Sequence, residues 1–273
     1  MSTPKLQHYN PQMILRRFTD DEGWLYCCKR QESGRPIWKS KPEKVFAENH
    51  LYTVLNNDGK PDVSIEKDFS ILEGEVSVVI DKIIEAALKG ETPCLDADEK
   101  DILLRYLCRQ RRRTPDGARA IVEKHMDQQI DKFPAFYEAY VGRPCTPDEL
   151  AQINDSADHE RYRKNAFSRF SSFEPRADVL EMLRNTSIMT AVIQTPKKNF
   201  ICGSRPIDRF DDWFTVSSKV AIKLTPPRGT DNLVVLDNTS TSAIRQINEG
   251  IVERSTLFAG PSQELIESLA CPQ

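Results

Sequence analysis

The chain has 273 residues, of which 39% are hydrophobic and 29% charged, with a formal net charge of −3 at pH 7. That length suits one domain with a real core, and the composition excludes a disordered chain. The slightly acidic balance excludes a whole-molecule positive field, so any contact with nucleic acid must come from a local patch. There are seven cysteines, at 27, 28, 94, 108, 145, 202 and 271. The count is odd and no Cys-x-x-Cys spacing occurs, which excludes a disulfide framework and a zinc ribbon; a reducing, cytoplasmic setting is expected. Residues 1–5 carry no apolar leader, and no run reaches membrane-spanning length.

In chain order, Pro11 suits the first turn of a short helix over 12–18. A turn at 20–23 leads to a strand at 24–28, and Gly34-Arg35-Pro36 reverses it into a second strand at 37–38, a small hairpin. Residues 41–48 read as a brief helix and 51–54 as an extended piece. A helix starts near Val63, because Ile65, Phe69, Leu72, Val76, Val79, Ile80 and Ile83 recur on one face; it stops at Lys89-Gly90. Asp96 caps the next helix, which runs to Arg113 and is closed by Thr114-Pro115. Further helices are expected at 118–140, broken at Pro134, and at 158–185 with a kink near Pro175. The pattern then changes to period two, with strands at 188–194, 199–203, 220–224 and 232–236; the first two are joined by a tight hairpin at 196–199. Helices at 242–253 and 262–269 finish the chain. The expected fold is α+β: a central helical layer with a small N-terminal β-hairpin and a C-terminal antiparallel sheet. It is read as a single domain over 1–273, with the hairpin in 1–55, the helical middle in 62–186 and the C-terminal sheet and helices in 187–273.

The opening segment, His8 to Phe18, holds a histidine, an aromatic, two arginines and a Met/Ile/Leu/Phe set. Such a segment must dock into the body and carry polar groups with it. His8 is a candidate general base or metal ligand, or else anchors the terminus by bonding backbone. Gln12 lies one turn on and faces the same way. Of Arg16 and Arg17, one is expected to face solvent and the other to meet carboxylates or an anionic ligand. Glu66 and Glu73 stack two turns apart on one helix. They suit a shared Mg or Mn ion with a third ligand, or ion pairs with Arg16 or Arg113. Leu103, Tyr106, Leu107, Gln110 and Arg113 share one face, so the Arg113 guanidinium is buried and must be paired with Glu66, Glu73 or a bound phosphate. Arg109, Arg111 and Arg112, with Lys100 and Arg105, form either a basic surface or a solvated helix end. Tyr9, Arg16, Ser204 and Arg205 are the candidates for substrate contact, Arg205 through its forked donors. Ser204 has no local base to make it a nucleophile, and His50, His125 and His159 sit among charged residues. No Walker A, G-x-G-x-x-G, G-x-S-x-G, H-E-x-x-H or zinc-spaced motif occurs.

Three separated stretches resemble the bacterial domain-of-unknown-function family 4238. They are His8-Tyr9-x-Pro11-Gln12-x-x-Leu15-Arg16-x-Phe18; Ile65-Glu66, Glu73-Gly74 and Gln110-x-x-Arg113-Thr114-Pro115; and Phe200-Ile201-x-x-Ser204-Arg205-Pro206-Ile207 with the Leu224-Thr225-Pro226 and Leu257-Phe258-Ala259-Gly260 runs. The resemblance implies a shared fold and a shared cluster without supplying a reaction. It also implies an acid at the position of Ser204, so this chain departs from the pattern there.

The grouping of His8, Gln12, Glu66, Glu73, Gln110, Arg113 and Arg205 could provide a base, metal carboxylates and cationic stabilisation for phosphodiester cleavage. The leading expectation is therefore a nuclease-like effector acting on nucleic acid or a nucleotide in bacterial phage defence. The alternative is a non-catalytic module that senses a ligand or partner, with an interaction subunit of a neighbouring effector behind both.

Overall fold

The computed structural model describes residues 6–30, 34, 36–49, 51, 52, 54, 55, 61, 62, 64–115, 117, 138, 142–149, 151, 175–226 and 230–270. The expected helix over 118–140, the part of the 158–185 helix before residue 175, and His50, His125, His159 and Cys271 lie outside the described residues.

The N-terminal segment forms β1 (Leu6–His8), α1 (Gln12–Leu15) and a tight turn over Arg16–Phe18. The hairpin follows as β2 (Leu25–Lys29) and β3 (Ile37–Ser40), antiparallel and in register from Leu25–Ser40 to Cys28–Ile37. Residues 41–48 are not the expected helix. Pro42–Lys44 makes one tight turn, Phe46 adopts φ 57°, and Ala47–Asn49 is a strand, β4, antiparallel to β1. A left-handed aromatic ends any helix. Its carbonyl accepts the Tyr9 N–H at 3.0 Å, and its ring meets Tyr9 edge-on at 6.1 Å, so tertiary contacts hold the unusual backbone. A short antiparallel pair, β5 (Val54–Leu55) and β6 (Pro61–Asp62), leads into the helices.

Helix α2 (Ser64–Leu88) buries Phe69, Leu72, Val76, Val79, Ile80 and Ile83, the predicted stripe, and Gly90 beyond it takes φ 78°. Helix α3 (Ala97–Arg113) opens on a reciprocal cap: the Asp96 side chain accepts the Glu99 N–H while Glu99 accepts the Asp96 N–H. It packs on α2 and on α4 (Ala177–Arg184).

The C-terminal strands are β7 (Ser187–Ile193), β8 (Cys202–Gly203), β9 (Phe214–Thr215), β10 (Val220–Thr225) and β11 (Asn232–Leu236); then come α5 (Thr241–Arg254), β12 (Leu257–Gly260) and α6 (Gln263–Ala270). The expected 196–199 hairpin between the first two is absent. β7 pairs with β10, while β8 pairs with β12 in another sheet. The reversal at 196–199 is held by Lys219 Nζ, which donates to the carbonyls of Thr195, Pro196 and Lys198. One sheet runs β11-β7-β10-β9, antiparallel except for the parallel β7–β11 pair, so it is mixed where an all-antiparallel sheet was expected. The other runs β3-β2-β12-β8. The N-terminal hairpin is thus half of a sheet completed by C-terminal strands. β12, a strand the sequence pattern does not announce, is its hydrogen-bonded link. The architecture is α+β. Among the described residues, no helix is long and apolar enough to cross a membrane.

α5 packs across β8, β11 and β12, joining the two sheets. Gly203 makes this approach close: a Cβ there would overlap the Ser255 hydroxyl and stand 2.7 Å from Ile251 Cγ2. Gly203→Ala is therefore expected to lower the stability read from urea denaturation by about 1–3 kcal/mol, the usual cost of overpacking. Gly74→Ala on the exposed face of α2, where nothing lies within 4 Å, is expected to be neutral or slightly stabilising.

Candidate functional site

The site is a seam where the N-terminal segment lies against α2 and α3. Its centre is Arg113, in the last turn of α3, with a side chain only 2% exposed. Nη1 donates to Glu73 Oε1 on α2 at 2.5 Å, and Nη2 donates to the backbone carbonyl of His8. The guanidinium carbon lies 4.2 Å from the Phe69 ring centroid, and the Tyr52 hydroxyl donates to the Arg113 carbonyl. Burial opposes the guanidinium's charge, but the Tyr52 and Glu73 partners outweigh it and hold the group above its ordinary range. One turn earlier, Gln110 Nε2 donates to the Tyr9 carbonyl at 2.7 Å. The Tyr52 N–H donates to Gln7 Oε1 at 2.6 Å, and Asn10 Nδ2 donates to the Gly203 carbonyl at 3.3 Å. The backbone of residues 8 and 9 is thus bonded to α3, and the Asn10 side chain carries the segment on to β8.

His8 enters this seam by its backbone, while its ring points the other way. Ring Nε2 lies 3.2 Å from the Pro42 carbonyl. With that carbonyl as acceptor, Nε2 carries the proton and Nδ1 keeps its lone pair. Burial lowers the imidazole pKa, the Arg113 charge adds to the effect, and the Pro42 carbonyl and Glu73 oppose it. The ring is neutral near pH 7. Glu66, a further two turns along α2, has its pKa raised by burial and by the Glu73 charge, with Arg113 opposing.

The structure brings together His8, Tyr9, Glu66, Glu73, Gln110 and Arg113, and sets the other sequence candidates apart. Gln12 and Arg16 face outward: Arg16 Nη2 donates to Gln12 Oε1 at 2.9 Å and to Glu43 at 3.3 Å, with the Arg16 side chain 61% exposed. Arg17 is the inward arginine, bonded to Ser77 and Asp81 on α2. Ser204 and Arg205 lie at the end of β8 and do not join the seam. Ser204 Oγ accepts the N–H groups of Thr256 at 3.0 Å and Leu257 at 3.2 Å, and Arg205 pairs with Asp208 at 2.5 Å. Tyr9 contributes its carbonyl and a ring packed on Phe46. The carboxylate expected to share a metal is the one that holds Arg113, and among the described residues no group of three or more His, Cys, Asp and Glu side chains could hold a metal ion.

Sequence reasoning missed four members: Gln7, Asn10, Tyr52 and Tyr106. Tyr106 was read only as part of an apolar face. Neutral polar residues at core positions carry no periodic signal; the one clue was that Asn10 and Gln7 flank a segment that must dock.

A family model described as protein of unknown function (DUF4238) matches residues 6–222. The chain belongs to that family. No curated protein and no solved structure matches it. In this DUF4238 chain, the position where the resemblance implies an acid is held by Ser204, whose hydroxyl accepts two backbone N–H groups.

Arg113→Ala strands Glu73 and the His8 carbonyl, and is expected to cost about 3–5 kcal/mol in urea denaturation. Arg16→Ala, at an exposed pair, is expected to cost less than about 1 kcal/mol. His8 has a folded pKa below its ordinary 6.5. Its contribution to stability is therefore present above that value and lost as pH falls through the lowered one. Glu66 acts in the opposite sense. The expected outcome is a melting temperature that falls more steeply on acidification in the wild type than in His8→Gln.

Proposed function

We propose that this DUF4238 protein is a non-catalytic module that binds a polar ligand or a partner's polar side chains at the N-terminal seam. The observation that carries this reading is unspent hydrogen-bonding capacity. Asn10 Oδ1, Gln110 Oε1, the Tyr106 hydroxyl, Arg113 Nε and Glu66 Oε2 are buried without a partner among the described residues. Gln110 and Asn10 are fully buried, and Tyr106 and Arg113 are 2% exposed. A buried polar atom left bare costs about 1–3 kcal/mol. Several on one seam favour a ligand that brings complementary groups, and the balance of carbonyl and carboxylate oxygens calls for one rich in N–H or O–H donors. Of the alternatives the sequence left open, carboxylates take both inward arginines: Arg113 is engaged by Glu73 and by the His8 carbonyl, and Arg17 by Asp81.

A nuclease-like effector of bacterial phage defence is the second reading, and one observation favours it. The His8 ring is neutral, keeps a lone pair on Nδ1, and lies in the electrostatic reach of Glu43, Glu73 and Arg113.

The two readings part in a single set of measurements. The purified chain is incubated with labelled RNA and DNA, with and without Mg²⁺ or Mn²⁺, and its melting temperature is followed against a panel of nucleotides and donor-rich small molecules. Under the binding reading, nucleic acid stays intact, at least one compound raises the melting temperature, and Gln110→Leu abolishes the rise. Cleavage that disappears in His8→Gln, with the fold retained, would replace the binding reading with the hydrolytic one.

A further inference from the structure

On the opposite side of α3 from the seam, an open cleft of about 670 Å³ lies between the end of α3, the end of α4 and the 208–212 loop. Its volume falls in the range of small-molecule sites, roughly 300–1,000 Å³. The floor is apolar: Met182, Leu183, Phe210, Leu224 and Pro226. Met182 presents its side chain at the rim, 57% exposed, where a ligand on the floor would cover it.

Two guanidinium groups stand on this floor. Arg111 lies over the Phe210 ring, with Cζ 5.5 Å from its centroid. Arg209 pairs with Asp211 at 3.0 Å, with side chains 72% and 59% exposed. Such a surface pair is weak and exchanges readily for a more highly charged anion. The loop that carries these groups is already ordered. The Leu224 N–H donates to the Phe210 carbonyl at 3.1 Å, and Asp212 Oδ2 accepts the Arg209 N–H at 2.8 Å and the Asp208 N–H at 3.3 Å.

We propose that this cleft binds a nucleoside phosphate, with the base stacking beside the Arg111–Phe210 pair over the apolar floor and the phosphate taken by Arg209. A purely apolar ligand would leave both guanidinium groups unused, and inorganic phosphate would leave the floor bare. A flat ring joined to an anion uses both, since aromatic and guanidinium planes stack on bases and the fork of arginine fits phosphate. The site is independent of the N-terminal seam: Arg111 projects from α3 about 100° around the axis from Gln110.

The test is calorimetric titration of the full chain, in chelator, with ATP, GTP, CTP and UTP, and with adenosine and tripolyphosphate as partial probes. The expected result is saturable binding of at least one nucleotide below about 1 mM, with each partial probe at least about tenfold weaker. Arg209→Ala is expected to weaken the nucleotide about tenfold, the loss of one charged contact. Met182→Trp fills the cleft from an exposed position, so it is expected to abolish binding while the melting temperature is unchanged; His8→Gln is expected to leave binding intact. No saturable binding of any of the four nucleotides overturns the proposal. So does nucleotide binding that survives Met182→Trp and Arg209→Ala.

Discussion

The structure depends on one buried charge. A guanidinium taken out of water is tolerated only where its charge is met, and Arg113 is met from two places in the chain: the Glu73 carboxylate and the Phe69 ring face on α2, and the His8 carbonyl on β1. The two places fix different elements. Glu73 and Phe69 set α2 against α3, and the His8 carbonyl sets the edge strand β1 against both. A hydrophobic contact can slide by a residue at small cost, whereas this bond pattern cannot. The N-terminal segment therefore docks in one register although it has only a few apolar anchors.

From that anchor the order spreads into the sheets. Gln110 takes the next carbonyl, Tyr9, and Asn10 then reaches Gly203 on β8. β8 is held to β12, and β12 to β2, so the chain's first and last hundred residues share one sheet. Arg254, at the end of α5, closes the same region. It donates to the carbonyls of Arg205, Pro206 and Trp213, satisfying loop backbone that has no strand partner, and to the Gly250 carbonyl within its own helix. Two arginines, Arg113 and Arg254, thus act as backbone organisers, while Arg16 and Arg205, read as ligand contacts, are held by Glu43 and Asp208.

Much of this was legible in the sequence because it followed from local rules. The α2 stripe and the Asp96–Glu99 cap belong to the helix period and its termini. The burial of Arg113 and its need for a carboxylate followed from its place after Leu103, Tyr106 and Leu107 on one face. What stayed hidden was non-local. Four residues, Leu257–Gly260, cannot announce that they sit between β2 and β8. The left-handed backbone of Phe46 is imposed by Tyr9 from another segment. Period two in 188–194 and 199–203 was real, but it says nothing about which sheet receives each strand. The His8 imidazole was expected in the seam, and the seam takes its carbonyl instead, because backbone acceptors carry no sequence signature.

The last turn of α3 serves two faces of the molecule. Gln110 and Arg113 face the seam, and Arg111, between them in sequence, faces the cleft at Phe210. Such a turn can couple its two faces only if one of them has a second arrangement, since a ligand shifts an equilibrium by no more than its differential affinity for two states. The seam supplies the candidate element. Its docking rests on backbone hydrogen bonds beside the buried Tyr9, Ile14, Leu15 and Phe18 side chains, and among the described residues Asn10 Oδ1 and Gln110 Oε1 beside those bonds lack partners. A ligand at the cleft that pulled Arg111 outward would act on the same turn that holds the carbonyls of His8 and Tyr9.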